Sequence, residues 1–252
     1  HFVTTRNGGN SVGNYASFNC TPYSGDEESH VRANQQLLVA GMNHKPTELV
    51  IPFQTHSAHC LKIDENYLTA SPLQKQQMLL GVDALITNVS RYCLCISTAD
   101  CVPILLYDKE HDAIATVHAG WRGTVERILH HTLICMQQEF GTRGESVVAC
   151  IGPSISLESF EVGDEVYEAF REHGFEMDYI SIWKPESHKY HIDLWEANKM
   201  QLIDFGVPFK QIELANVCTY IHHEDFFSAR RLGIKSGRIL SGIMLNGDFA
   251  NL

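Results

Sequence analysis

Short apolar runs, many of them β-branched, alternate along the chain with stretches in which apolar positions recur every three or four residues. The runs LVIPFQ (49–54), CLCIST (93–98), VPILLYD (102–108), AIATVH (113–118) and VVACIG (147–152) have the length and branching of buried strands. QIELANVCTY (211–220) and GRILSGIML (237–245) add strand-like segments near the end. A helix is predicted over 29–40, where Asp26, Glu27 and Glu28 supply the negative charge that suits a helix N-terminus. Residues 124–138 place Val125, Ile128, Leu129, Thr132 and Met136 on one helical face. Two further helices are expected, over 163–173 (burying Val162, Val166, Ala169 and Phe170) and over 193–205 (burying Leu194, Ala197, Leu202 and Phe205). The opening TTRNGGNSVGNYASFN (4–19) reads as a loop between short strands. Helices with a single apolar stripe, set among many strands, predict an α+β fold of layered, mixed β-sheets with helices outside. No repeat, low-complexity tract or linker interrupts the 252 residues, so 1–252 reads as one domain.

Composition narrows the function. A formal charge of −11 repels phosphate backbones and argues against a general nucleic-acid partner, although a local arginine cluster can still hold a small anion. No apolar stretch approaches the roughly 20 residues that span a bilayer, so no membrane partner is expected, and no protein partner can be inferred. Eight cysteines, several inside apolar runs (Cys135 in LICM, Cys150 in VVACIG), read as buried free thiols rather than a disulfide framework. Together with the lack of a signal-type start, they predict a cytoplasmic protein. The sequon at Asn88 would matter only in a secreted chain.

Three apolar strands end in reactive residues: Gln54-Thr55-His56-Ser57, Thr98-Ala99-Asp100-Cys101, and His118 followed by Ala119-Gly120-Trp121-Arg122-Gly123. Strand ends are where a rigid scaffold presents side chains to a ligand. His56, Cys101 and His118 form a set that suits a borderline-soft metal, zinc above all, and three protein ligands leave the fourth position open as in catalytic sites. Zinc there would lower the pKa of a bound water to about 7. His59, three residues on, points to the opposite face of a strand and is left out. The pairs His130-His131 and His222-His223 read as surface residues. Ser57 joins Arg6, Asp100, Arg122 and Arg230 as a candidate substrate contact. Each has a plainer role open to it: Arg6 as a loop residue, Asp100 as a turn cap, Arg122 as a brace behind His118, and Arg230 with Arg231 as solvated surface charge.

TTRNGGNS, QTHS, STADCVPILLYD, VHAGWRGT, IGPSIS with FEVGDEV, HIDLWEANKMQL, FFSARR and SGRILSGIML stand in one order. In this the chain resembles the YfiH/YlmD family, often labelled polyphenol oxidase or laccase-domain, over nearly its whole length. The pairing of ADC with HAGWRG is the specific part. The resemblance implies zinc on His56, Cys101 and His118, and His56, Cys101 and His118 as catalytic residues. It further implies phosphorolysis of adenosine, inosine and methylthioadenosine, adenosine deamination, and a layered fold similar to a bacterial toxin deamidase domain. It raises Arg230 as a phosphate contact. Phe18, Cys20 and QTHS in place of the commoner QVHG are departures that bear on pocket shape. Two other chemistries fit the same residues. A copper-dependent phenol oxidase is one, although the chain contains no His-x-His pair of the kind multicopper centres use. The other is a Cys/His amidase acting on cell-wall peptide precursors, with Cys101 as nucleophile.

Overall fold

The computed structural model describes residues 1–247. Its strands are β1 (Phe2–Val3), β2 (Glu48–Val50), β3 (Cys60–Lys62), β4 (Ala84–Thr87), β5 (Tyr92–Thr98), β6 (Val102–Asp108) and β7 (Ala113–Ala119) in the first half. β8 (Val147–Ile151), β9 (Glu161–Val162), β10 (Ser181–Lys184), β11 (Lys189–Ile192), β12 (Ile212–Leu214) and β13 (Ile239–Ile243) follow. They pair into a six-stranded sheet of order β12-β8-β6-β7-β4-β3, a four-stranded sheet β1-β13-β5-β2 and a small sheet β10-β11-β9. The two larger sheets are mixed: β12 with β8, β3 with β4 and β2 with β5 run parallel, the remaining neighbours antiparallel. The helices are α1 (Glu28–Gly41), α2 (Glu65–Thr69), α3 (Pro72–Met78), α4 (Trp121–Val125), α5 (Ile128–Phe140), α6 (Asp164–Glu172), α7 (Met177–Ile180), α8 (Leu194–Asp204) and α9 (Ala229–Leu232).

Alternation along β6 explains why its run is apolar throughout. Ile104 and Leu106 share a core with Leu129 and Leu133 of α5 and Leu202 of α8. Leu105, on the other face, meets Leu94 of β5 and Ile243 of β13. The six-stranded sheet is thus covered by helices on one side and by the four-stranded sheet on the other, and a strand buried on both faces needs no polar alternation. Leu38 and Met42, in α1 and at its end, pack with Cys93, Cys95 and Leu240 on the outer face of the four-stranded sheet. Helix, sheet, sheet and helix form the layers, as the α+β reading expects.

The departures have local causes. The run LVIPFQ leaves β2 at Val50, because Pro52 has no N–H to donate; Phe53 instead exchanges backbone hydrogen bonds with Leu79 and Gly81. The helix predicted over 124–138 is two helices, broken at Arg127, whose φ of 56° is left-handed. The Arg127 guanidinium is held by the His173 carbonyl and the Phe175 ring. In QIELANVCTY the strand stops at Leu214, ahead of Asn216 with a φ of 54°. Ala169 and Phe205, expected to be buried, are half-buried. All eight cysteines are free, and seven of them (Cys20, Cys60, Cys93, Cys95, Cys135, Cys150 and Cys218) belong to the apolar cores or pack on them. No helix among the described residues is long and apolar enough to cross a membrane.

Candidate metal centre

Strand register brings two of the three reactive residues together. Val102 of β6 pairs with Ala119 of β7, so Cys101, one residue before, lies across from Gly120, and His118 pairs with Pro103. His56 does not sit at a strand end; it lies in the coil between β2 and β3. His56 Nε2 is 3.8 Å from Cys101 Sγ, and the His56 and His118 rings are 4.9 Å apart, centre to centre. One ligand atom from each of His56, Cys101 and His118 lies within 4.8 Å of the others, and among the described residues this is the one His/Cys/Asp/Glu group able to hold a metal ion. His59 stays outside it; its side chain is exposed and its carbonyl accepts from the Asp83 and Ala84 amides.

The residue that assembles the site is Asp83, which sequence reading passed over. Its buried carboxylate accepts from the backbone amides of Thr55 (3.1 Å), His56 (3.0 Å) and Ser57 (2.8 Å) and from the Ser57 hydroxyl (2.8 Å). It also accepts from His118 Nδ1 at 2.7 Å. A carboxylate can only accept, so Nδ1 carries the hydrogen and Nε2 is left to face the ligand, the arrangement that orients metal-binding histidines. One carboxylate therefore fixes both histidines, at positions 27 and 35 residues away in sequence. Ser57, a candidate substrate contact, has its hydroxyl placed between Asp83 and the Gly81 carbonyl.

Two non-glycine residues with left-handed backbone flank the centre, His56 (φ 61°) and Asp100 (φ 85°). Such conformations persist where the surroundings over-determine them. For His56 the constraint is the Asp83 bond to its amide. For Asp100 it is a carboxylate bonded to Thr219 Oγ1 (2.7 Å), Ser228 Oγ (3.0 Å) and the Arg230 amide (2.7 Å), which ties the turn before Cys101 to the start of α9. Gly120 completes the cradle: a Cβ there would come within 2.9 Å of His56 Cδ2 and 3.0 Å of Cys101 Sγ.

Burial pushes the Cys101 thiol up, but the facing His118 and His56 outweigh it and bring the thiol down to about 6. Burial likewise pushes the His118 imidazole down, yet Cys101 and Asp83 hold it up at about 9. Between these values the metal-free centre is a thiolate facing an imidazolium, and a bound cation would displace the histidine proton. Alkylation of Cys101 in chelator-treated protein should therefore rise through a midpoint near pH 6, whereas an ordinary thiol rises through about 8.5. Restoring the metal should suppress it. Mass mapping of the alkylated cysteine against pH checks this, and separates Cys101 from Cys135, which its neighbour Cys60 lowers to about 7.

A cavity of about 300 Å³ opens over the three residues. Its rim is apolar: Pro52, Ile234 and the edge-to-face pair Tyr23–Phe53, with ring centres 5.1 Å apart. Gln54 forms a fixed wall, its amide bonded both ways to the Ser97 backbone. Arg238 also lines the cavity. It lies inside the predicted strand GRILSGIML, where nothing marked it as a site residue. The predicted arginines, Arg6, Arg122 and Arg230, are not on this wall. Arg6 spends Nε and Nη1 on the carbonyls of Ala16 and His223. Arg122 stacks over Trp121, at 4.2 Å from the ring centre. Arg230 donates twice to the Glu161 carbonyl and lies over Phe160.

The profile of the family described as "Multi-copper polyphenol oxidoreductase laccase" matches residues 1–246. A purine nucleoside phosphorylase of Bacteroides thetaiotaomicron is 69% identical over 246 residues, covering 98% of this chain and 91% of the relative. A protein named adenosine deaminase RL5, from an unknown prokaryotic organism, is 40% identical over 244 residues, covering 96% of this chain and 92% of its own. The crystal structure of YlmD from Geobacillus stearothermophilus superposes with a TM-score of 0.89 at 30% identity, over 97% of this chain and 90% of that one.

Proposed function

Since the chain belongs to the family described as multi-copper polyphenol oxidoreductase laccase, that of the YfiH and YlmD proteins, we propose that it is a zinc-dependent purine nucleoside phosphorylase that also deaminates adenosine. Adenosine, inosine and methylthioadenosine are the substrates of this reading. The observation that carries it is the His56–Cys101–His118 cluster at the floor of an aromatic-rimmed cavity, together with relatives named for these two activities. The donor set fits the ion: a half-buried thiol already disposed to ionise, one histidine oriented by a carboxylate, and a glycine leaving room between them. Held by these three residues, zinc would supply a Lewis acid.

The chain's own groups define the rest. Tyr23 and Phe53 offer flat apolar surface to a purine at the rim. Deeper in, the ribose carbon bonded to the base takes a phosphate oxygen as the bond to the base nitrogen breaks and the base gains a proton. Deamination places a different carbon at the floor, the purine carbon bearing the amino group, where water replaces ammonia. The two reactions therefore need two orientations of adenosine, or an indirect role for the metal in one of them.

The family description points instead to multicopper oxidation. A multicopper centre needs several clusters of ligands, and the described residues provide one, with three donors. The low thiol pKa of Cys101 favours a thiol amidase as the second reading, and that enzyme would gain activity on chelation. The test is to incubate adenosine and inosine with and without phosphate and quantify free base, ribose 1-phosphate and inosine. Free base and ribose 1-phosphate in equal amounts, formed only with phosphate, are expected. Absence of free base in every condition sinks phosphorolysis, while inosine from adenosine would leave deamination standing.

A further inference from the structure

We infer that Arg238 is the phosphate-binding residue of this cavity, holding inorganic phosphate through the remaining donors of its guanidinium, Nε and the second Nη2 hydrogen, beside the metal centre; this rests on the phosphorolysis reading. Three observations carry it. Among the described residues, Arg238 is the only lysine or arginine on the cavity wall, and no carboxylate lines that wall. In a chain of charge −11, this is a place where a cation remains without an acidic partner: no ion pair to Arg238 is present among the described residues. The guanidinium is also fixed in advance. Nη1 donates to the carbonyls of Ser236 (2.7 Å) and Gly237 (3.0 Å), Nη2 donates to that of Ile234 (2.9 Å), and the backbone amide is held by Asn19 Oδ1 (3.1 Å).

These bonds use neutral acceptors; Cys101 and Asp100 act on the guanidinium through space, but neither makes an ion pair or hydrogen bond with it among the described residues. Nε makes no hydrogen bond among the described residues, so donor capacity remains for an oxyanion. A half-buried arginine that lacks a carboxylate partner is costly to keep unless an anion completes it, and arginine–phosphate contacts are among the stronger charge-assisted pairs. Arg6 and Arg230 have no such opening onto the cavity. A phosphate on Arg238 would lie against the same cavity as Cys101 and His118, where the nucleoside must also sit.

The test titrates inorganic phosphate into the metal-loaded protein and its Arg238→Lys variant by calorimetry, and measures KM for phosphate and for inosine in both. Lysine keeps the charge and loses the planar fork, so phosphate affinity should fall about 10-fold or more, with KM for phosphate rising in step and KM for inosine moving far less. Unchanged phosphate affinity in the variant overturns the inference even where nucleoside cleavage is normal. Phosphate binding that is present in the wild type and lost in the variant, without any nucleoside cleavage, supports the site and removes the phosphorylase reading. Should the variant fail to fold, the wild type still decides. Phosphate at constant ionic strength should slow alkylation of Cys101 in chelator-treated protein by about 3-fold or more, since an anion on Arg238 shields the thiolate. Equal rates in phosphate and chloride overturn the inference.

Discussion

Replacing Asp83 by Asn should weaken zinc binding by about 10- to 100-fold, the range seen when the partner of a metal-bound histidine is removed. The amide would turn a donor toward at least one of the groups that now bond to the carboxylate: the three amides at 55–57, the Ser57 hydroxyl and His118 Nδ1. Losing one partner of a buried charge pair costs about 3–5 kcal/mol, which in a domain of this size lowers Tm by on the order of 10 °C. The same carboxyl sets an acid limit. Burial raises its pKa, but His118 and Ser57 outweigh burial and hold it below its ordinary value of 3.8. Its stabilisation is therefore fully present above that value and is lost as pH falls through the lower, folded-state pKa. Competition with a chelator and thermal melting measure the two effects. A variant with wild-type zinc affinity and wild-type Tm would show that Asp83 does not hold the site.

Gly120→Ala should separate the site from the fold. The backbone at Gly120 (φ −69°, ψ 171°) suits alanine, so the change carries no conformational penalty of its own. Its Cβ, however, would press on His56 Cδ2 and Cys101 Sγ. Moving ligands by a fraction of an ångström to one ångström costs on the order of 10²-fold in kcat/KM, while Tm should fall far less than in the Asp83 variant. Steady-state kinetics beside a melting curve distinguish the outcomes. Unchanged kcat/KM would mean that His56 and Cys101 do not work as a pair.

Elements buried on both faces were the most legible in sequence. VPILLYD and AIATVH correspond to β6 and β7 within one residue, because strands between two layers carry continuous apolar runs. Helices α1 and α8 also end close to their predicted limits. Short elements escaped. β3 and β4 have three and four residues, too few to show a period. α3 carried a readable signal in Ser71-Pro72 followed by Gln74, a capping box with proline in the first turn. At the site, the candidate metal trio stood out because His56, Cys101 and His118 each stand at or just after an apolar run, although His56 lies in coil rather than at a strand end. Asp83 did not, because its role depends on amides 26 to 28 residues away, a relation with no periodicity. Arg238 was hidden for another reason. It adjoins a strand and bonds mainly to its own loop, so only the folded chain shows the cavity it faces.

The central claim is that purine nucleoside cleavage depends on one ion at His56, Cys101 and His118. The most direct measurement titrates zinc into chelator-treated protein with inosine and phosphate present, following ribose 1-phosphate, with Cys101→Ala as control. Activity should rise from near zero in proportion to zinc and level off at about one ion per chain, and the Cys101→Ala protein should remain inactive throughout. Full activity before any zinc is added, or wild-type activity in Cys101→Ala, would contradict the account.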